Sequence, residues 1–214
     1  MTDFAESRRA MVRYQLQDRG ISDPKVLEAM GKVRREAFIP VDERGFAYSD
    51  GPLPIGHGQT ISQPFIVALM TEALKLTGGE RILEIGTGSG YAAAVLAEIA
   101  VEVFTIERIA ELAESARLAL KEQGYANVHV KCDDGTLGWK EHAPYDAIVA
   151  TAAGPSVPKA LKEQLKIGGR LVMPIGSQFG GQQLMRLTRI TETDYDYEEL
   201  DWVRFVPLIG EQGW

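Results

Sequence analysis

Arg81-Ile82-Leu83-Glu84-Ile85-Gly86-Thr87-Gly88-Ser89-Gly90-Tyr91 decides the fold of this chain. A short apolar run ends in an acid and then in three glycines spaced two apart. Residues 91–99 continue at helical spacing. Glycine lets a backbone turn tightly and approach a ligand without a Cβ in the way. A strand that passes through such a loop into a helix has the context that nucleotide binding requires. A dinucleotide fingerprint, Gly-x-Gly-x-x-Gly, brings its helix against a pyrophosphate. Counted from Gly86, its third glycine belongs at position 91, and that residue is Tyr91.

Outward from this loop the chain alternates strand and helix. Strands are expected at 101–106, 128–132, 145–151 and 170–175, and helices at 110–123 and 158–165. That order predicts an α/β fold with a parallel sheet wrapped by helices on both faces. Further strands are expected at 184–191 and 202–208, joined by the acidic stretch 193–201. No clear helix lies between them, so an antiparallel edge is expected. Upstream, the first forty residues read as helices. Phe4, Met11, Tyr14 and Leu16 share one expected face, and Ser22-Asp23-Pro24 is a helix start. Residues 50–64 are too rich in Gly and Pro for a helix and read as a loop. A helix resumes near Pro64. One domain over residues 1–214 is expected, with a helical and substrate-loop subregion (1–79), a cofactor-binding core (80–176) and C-terminal strands (177–214).

Composition narrows the partners. Lys plus Arg is 23 and Asp plus Glu is 30, a formal net charge of −7. Phosphate backbones are gripped by basic faces, and beyond Arg8-Arg9 and Arg34-Arg35 no basic cluster occurs, so no nucleic-acid partner is expected. The single cysteine, Cys132, allows neither an internal disulfide nor a zinc site; it reads as a small core residue and no metal is expected. No signal-like segment opens the sequence, and no apolar run reaches the roughly 18 residues of a membrane span. A cytoplasmic monomer without membrane contact is expected.

The glycine pattern with Glu84 before it resembles the first motif of class I methyltransferases, a pattern that many of them share. Their ligand carries a cationic sulfonium and an ammonium group, which an acidic strand end suits. The next strand ends in Glu107, 107 − 84 = 23 positions later, near the roughly 20-residue offset at which an acid meets ribose hydroxyls. A carboxylate offers acceptors to both hydroxyls. The third strand ends Cys132-Asp133-Asp134-Gly135, where an acid suits the adenine amino group and where an ordinary Asp-Gly turn is the competing reading. All three strand ends fall at the edge where open α/β sheets bind ligands.

The acceptor is read from what is missing. The fourth strand ends Ala150-Thr151-Ala152-Ala153-Gly154-Pro155, which offers small residues and no polar clamp for an amine. His57, His129 and His142 include no convincing general base. A carboxylate acceptor needs none, because its reference pKa of about 4 leaves it ionised at neutral pH. Alignment and exclusion of water are then the enzyme's tasks. Another carboxylate substrate, or binding of an adenosyl ligand without turnover, stays open on these residues alone.

The stretch Leu53-Pro54-Ile55-Gly56-His57-Gly58-Gln59-Thr60-Ile61-Ser62-Gln63-Pro64 resembles the loop that precedes the cofactor motif in protein-L-isoaspartate O-methyltransferases. Ile106-Glu107-Arg108, Asp134-Gly135, Pro144-Tyr145-Asp146-Ala147-Ile148, Leu165-Lys166-Ile167-Gly168-Gly169-Arg170-Leu171 and Val203-Arg204-Phe205-Val206-Pro207-Leu208 fit the same family in order. The resemblance implies a Rossmann-like class I fold with a mostly parallel seven-stranded sheet, an N-terminal helical extension and an antiparallel C-terminal edge. It implies methyl transfer from S-adenosyl-L-methionine, leaving S-adenosyl-L-homocysteine, to the α-carboxylate of L-isoaspartyl and D-aspartyl residues in damaged proteins, with repair through a succinimide. It makes Ser62 the active-site serine, holding the acceptor carboxylate rather than attacking. Ser62 also stands where a cap for the helix after Pro64 is wanted. Thr60, Ile61, Ser62, Glu84, Gly86, Thr87, Gly88, Gly90, Glu107, Arg108, Asp134 and Gly135 are the implied cofactor residues. Pro54, Ile55 and Gly56 with Val206, Pro207 and Leu208 are the implied main-chain contacts to an extended peptide. Two positions depart from the family pattern: Asp133 stands where Gly is usual, and Phe65 where some relatives carry His.

Overall fold

A computed structural model describes residues 3–177 and 180–214. Its centre is a seven-stranded sheet. In chain order the strands are β3 (Arg81–Ile85), β4 (Glu102–Glu107), β5 (Val128–Cys132), β6 (Tyr145–Ala150), β7 (Leu165–Gly176), β8 (Gln182–Arg189) and β9 (Tyr195–Val203), after a separate hairpin of β1 (Leu53–Gly56) and β2 (Gln59–Ile61). The sheet order is β5-β4-β3-β6-β7-β8-β9. β5 to β7 pair in parallel and the last two strands add antiparallel. β3 is buried almost throughout, as a strand covered on both faces must be. Its side chains alternate between two apolar clusters. Ile82 joins the one built from the N-terminal helices, α3 (Pro64–Ala73) and α4 (Tyr91–Ala97). Leu83 and Ile85 join the other, beside Leu161 of α6 (Lys159–Gln164). α5 (Ala110–Glu122) follows β4.

The strand order reverses at β3. From β5 the chain crosses back to the far side of β3 to form β6, so the loops after β3 and β6 leave in opposite directions and open a crevice at the carboxyl ends. The N-terminal helices pack over α3 and α4. α2 (Pro24–Lys32) begins as its sequence suggests: Asp23 caps it by accepting the Lys25 N–H at 2.8 Å, and Pro24 opens the first turn.

Several expectations are corrected. The N-terminal face is broken, because after α1 (Phe4–Ala10) the chain widens into a π-helical stretch (Met11–Leu16). That widening keeps Met11 and Leu16 buried but turns Tyr14 out, 59% exposed. Residues 53–61 are a hairpin rather than a loop, with Leu53 opposite Ile61. Its turn places His57 and Gly58 at φ 52° and 69°, the positive pair that a two-residue hairpin turn demands. The acidic stretch 193–201 is largely strand. β9 pairs with β8 from Arg189↔Tyr195 to Gln182↔Val203. Acids suit it because an edge strand is mostly solvated and charge discourages further pairing. The strand expected at 202–208 ends at Val203 instead. Beyond it the Gln182 amide, 3% exposed, accepts the Phe205 N–H at 2.6 Å and donates to the Phe205 carbonyl at 3.2 Å. Ala153 then exchanges bonds with Val206 and Leu208 at 2.9 and 2.7 Å. Cys132 is exposed at the end of edge strand β5 rather than in the core.

Gln182→Leu should cost about 1–3 kcal/mol, because both groups of the Phe205 peptide lose their partner. Urea unfolding measures it; an unchanged midpoint would show that water replaces the amide.

Candidate active site

The crevice at the reversal holds a narrow cavity. On one side lie Gly86 to Ser89, with Glu107-Arg108 at the end of β4 and Gly135 after β5. Thr151-Ala152 after β6, with Thr151 in contact with Gly86, continue the wall, and residues 206–209 and the β2 arm, from Gln59 to Ser62, complete it. Four strand ends and the hairpin thus converge where ligands bind in open α/β sheets.

Two features make the cavity a cradle. Gly86 sits at φ 92°, and a Cβ there would stand 2.5 Å from Thr151 Oγ1, so only glycine fits. Glu107, 6% exposed, is held by the backbone. Its Oε2 accepts the Gly88 N–H at 2.9 Å and its Oε1 the Ile109 N–H at 3.0 Å. Each oxygen keeps lone-pair capacity for a neighbouring hydroxyl. A fixed carboxylate beside glycine backbone therefore fits the ribose and amino-acid parts of an adenosyl ligand.

Glu84 takes a different place from the one expected of it. It lies fully buried beneath the loop and is absent from the cavity wall. Thr105 Oγ1 donates to Glu84 Oε2 at 2.5 Å, and Thr87 Oγ1 lies 2.6 Å from Thr105 Oγ1. The Thr87 and Thr105 hydroxyls share a hydrogen bond in which either can donate. Burial pushes the Glu84 carboxyl up to about 8; the Thr105 bond opposes the shift and the Glu107 charge adds to it. Burial thus favours the neutral form of Glu84, which supports the loop from below, with Oε1 unpartnered among the described residues.

Asp134 is likewise engaged. Oδ1 accepts from the Thr136 N–H at 2.8 Å and its hydroxyl at 2.7 Å, and Oδ2 accepts the Glu211 N–H at 2.7 Å. The carboxylate thus pins the segment after Leu208 to the turn that presents Gly135, rather than facing the cavity. Asp133 pairs with Lys131 at 2.7 Å, at the surface.

A second cavity, open and about 840 Å³, adjoins the first. Its wall includes Gln63, Ile66, Gln182, Arg204, Phe205 and Trp202, which is 72% exposed. Thr60, Ser62, Thr151 and Val206 line both cavities and form the wall between them. Ser62 is not the helix cap. That position is Gln63, whose amide donates to Asp50 Oδ1 at 2.7 Å. The Ser62 hydroxyl has no hydrogen bond among the described residues and is left to the wall.

Of the residues singled out from sequence, Thr60, Ile61, Ser62, Gly86, Thr87, Gly88, Glu107, Arg108 and Gly135 come together on the first cavity. Val206, Pro207 and Leu208 face it too, and Val206 reaches the second. Gly90 opens α4 outside the wall. Pro54, Ile55 and Gly56 line neither cavity; Ile55 instead backs Gly88, where a Cβ would stand 3.4 Å from its Cδ1. Thr151, Gln182 and Trp202 were not foreseen. Thr151 had a signal, since it follows the fourth strand at the same edge as Glu107. Gln182 and Trp202 had none, because they reach the site only through pairing of β8 with β9.

Known proteins match this arrangement. The family model described as protein-L-isoaspartate(D-aspartate) O-methyltransferase matches residues 6–213. Protein-L-isoaspartate O-methyltransferase 2 of Marinobacter nauticus is 61% identical, over 99% of this chain and 97% of its own length. Protein-L-isoaspartate O-methyltransferase 1 of Rhodopseudomonas palustris is 61% identical over 100% of this chain and 87% of its own. A solved protein-L-isoaspartate O-methyltransferase superposes with a TM-score of 0.87 at 30% identity, over 96% of this chain and 67% of that one. A Plasmodium falciparum β-aspartate methyltransferase in complex with S-adenosyl-L-homocysteine gives 0.81 at 26% identity, over 94% and 98%.

Glu84 yields a stability prediction. Unfolded, its carboxyl ionises near 4.5; folded, it stays neutral to about 8. The folded state binds the extra proton in between, so the contribution to stability is full below pH 4.5 and is lost as pH rises toward 8. Glu84→Gln removes this slope. The melting temperature of Glu84→Gln minus that of the wild type should climb from pH 5 to pH 8; parallel curves would show that Glu84 is already ionised.

Proposed function

The chain belongs to the protein-L-isoaspartate(D-aspartate) O-methyltransferase family, and from that premise we propose that the narrow cavity holds the cofactor, the wide one the damaged peptide, and their shared wall the transfer. It is an S-adenosyl-L-methionine-dependent enzyme that methylates the α-carboxylate of L-isoaspartyl residues in proteins and initiates their repair. S-adenosyl-L-methionine supplies a methyl group on a positively charged sulfur. The observation that carries the residue assignment is the wall of Thr60, Ser62, Thr151 and Val206 common to both cavities.

Glu107 holds the ribose hydroxyls, the backbone of Gly86, Thr87 and Gly88 faces the amino-acid part, and Gly135 flanks the adenine. Thr60, Ile61 and Arg108 complete the cofactor wall. Ser62 donates a hydrogen bond from its hydroxyl to one oxygen of the acceptor carboxylate and holds the other in line with the methyl carbon. That oxygen forms a bond to carbon as the carbon–sulfur bond breaks, and the electron pair goes to sulfur, so no proton moves and no base is required. None of the three histidines lines either cavity, in keeping with an acceptor ionised at neutral pH. The following backbone nitrogen of the peptide then closes on the ester carbonyl, loses its proton and expels methanol, and the resulting succinimide reopens partly to normal aspartate. Val206, which lines both cavities, guides the peptide main chain, an arrangement that admits many sequences, while Pro207 and Leu208 line only the narrow cavity. Ile55 acts from behind, by backing Gly88, and Pro54 and Gly56 hold it in the hairpin. D-aspartyl residues are a further substrate.

The chain is further read as one domain acting as a cytoplasmic monomer without a nucleic-acid partner. One apolar cluster joining the N-terminal helices to the sheet supports the single domain. The acidic β9 edge discourages pairing between copies, and the net charge of −7 disfavours phosphate backbones. A lone cysteine suits a reducing compartment. Among the described residues no helix is long and apolar enough to cross a membrane.

Paired peptides of one sequence, carrying isoaspartate or aspartate, test the reading with labelled cofactor. Label should enter the isoaspartyl peptide alone; equal labelling of both would overturn the repair assignment. Ser62→Ala should lose roughly 10²-fold in kcat/KM, the scale of lost alignment, with an unchanged melting temperature because Ser62 caps no helix. Near-normal turnover would remove Ser62 from the transfer. Glu107→Ala should weaken S-adenosyl-L-homocysteine about tenfold or more, through lost charge-assisted hydrogen bonds, as calorimetry reads.

A further inference from the structure

Thr151 is the first residue after β6, at the point where the strand order reverses. Its Oγ1 lies 2.7 Å from the Gly86 carbonyl oxygen and 3.2 Å from that of Ile85, and donates to both. Its own N–H donates to the Ile85 carbonyl at 2.9 Å. A threonine hydroxyl has one proton and two lone pairs. The proton is committed to backbone, so only lone pairs are left for the wall. The branched Cβ makes χ1 stiff, and the same oxygen occupies the space that any Cβ on Gly86 would need. It is therefore an immobile acceptor.

The other hydroxyls of the wall differ. Ser62 has no hydrogen-bond partner among the described residues and can turn its proton to an anion. Thr60 is exposed, and no bond holds its hydroxyl among those residues. An acceptor without a proton repels a carboxylate. It attracts hydrogens on a carbon bound to cationic sulfur, through C–H···O contacts.

We propose that Thr151 is a specificity-determining residue that favours the methylated, cationic cofactor over its demethylated product, with Oγ1 held by the Gly86 carbonyl as a fixed acceptor against the sulfonium-bound carbons. This rests on the assignment of the narrow cavity to the cofactor. Bracing Gly86 alone has another signature. The two ligands share every part that touches the glycine loop, so a lost brace weakens both equally. A lost acceptor weakens only the one bearing the charge and the methyl group.

Calorimetric dissociation constants of S-adenosyl-L-methionine and S-adenosyl-L-homocysteine for wild type, Thr151→Val and Thr151→Ser separate the two. Valine keeps the shape and removes the oxygen. It should shift the ratio of the two constants against S-adenosyl-L-methionine by about two- to fivefold, the scale of one such contact, and serine should restore it. Equal weakening of both ligands, or an unshifted ratio, would overturn the proposal. If the valine variant fails to fold, Thr151→Ala measured against Thr151→Ser gives the same comparison. Glu107→Ala serves as the control: unchanged binding of both ligands there would remove the cofactor cavity itself. Weakened binding there with an unshifted Thr151→Val ratio would remove only the role of Thr151.

Discussion

The reversal of strand order between β3 and β6 is the constraint on which the rest of this molecule depends. Two neighbouring parallel strands send their chains to opposite sides, and neither loop covers the gap between them. The seam is closed by small contacts: the Thr151 N–H and hydroxyl on the carbonyls of Ile85 and Gly86. That closure needs glycine at 86, because a Cβ would take the place of the threonine oxygen. The loop after β3 is thereby fixed from the β6 side, and Thr151 joins it in lining the cavity. Binding geometry here follows from sheet topology and is adjusted by one side chain.

Charge at the site is divided between two acids that differ in solvation. Glu84 is sealed under the loop and stays neutral; Glu107 borders the cavity and is stabilised by two backbone N–H groups. A second ionised carboxylate beneath the first would cost burial energy without reaching a ligand. The Thr87–Thr105–Glu84 chain instead converts a buried acid into a support. Charge is thus kept where a cationic ligand can meet it.

The segment after β9 shows how a site can be built from chain that has left the sheet. Gln182 substitutes for a strand neighbour at Phe205, Ala153 pairs with Val206 and Leu208, and Asp134 holds Glu211. Three anchors from three parts of the sequence place residues 206–209 against the narrow cavity and Val206 between the two cavities. A carboxylate that sequence reasoning assigned to a ligand is used to fasten this wall.

The sequence by itself determined the α/β class, the strand–glycine–helix unit at 81–91, the acid at Glu107 and the family carried by residues 53–64. Each is a local matter: periodicity, spacing and a contiguous motif are read along the chain. Only the tertiary structure decided that residues 195–203 form a strand, that Glu84 turns from the cavity to the Thr105 hydroxyl and Asp134 to the backbone of Thr136 and Glu211, and that Thr151 and Ser62 line the same cavities. Strand pairing at an acidic edge is settled by a partner strand, not by local hydrophobicity. The fate of a carboxylate is settled by burial and by donors distant in sequence. Residues 62, 107, 151 and 206 are neighbours only because the sheet brings its strand ends to one edge, a relation that no single segment contains.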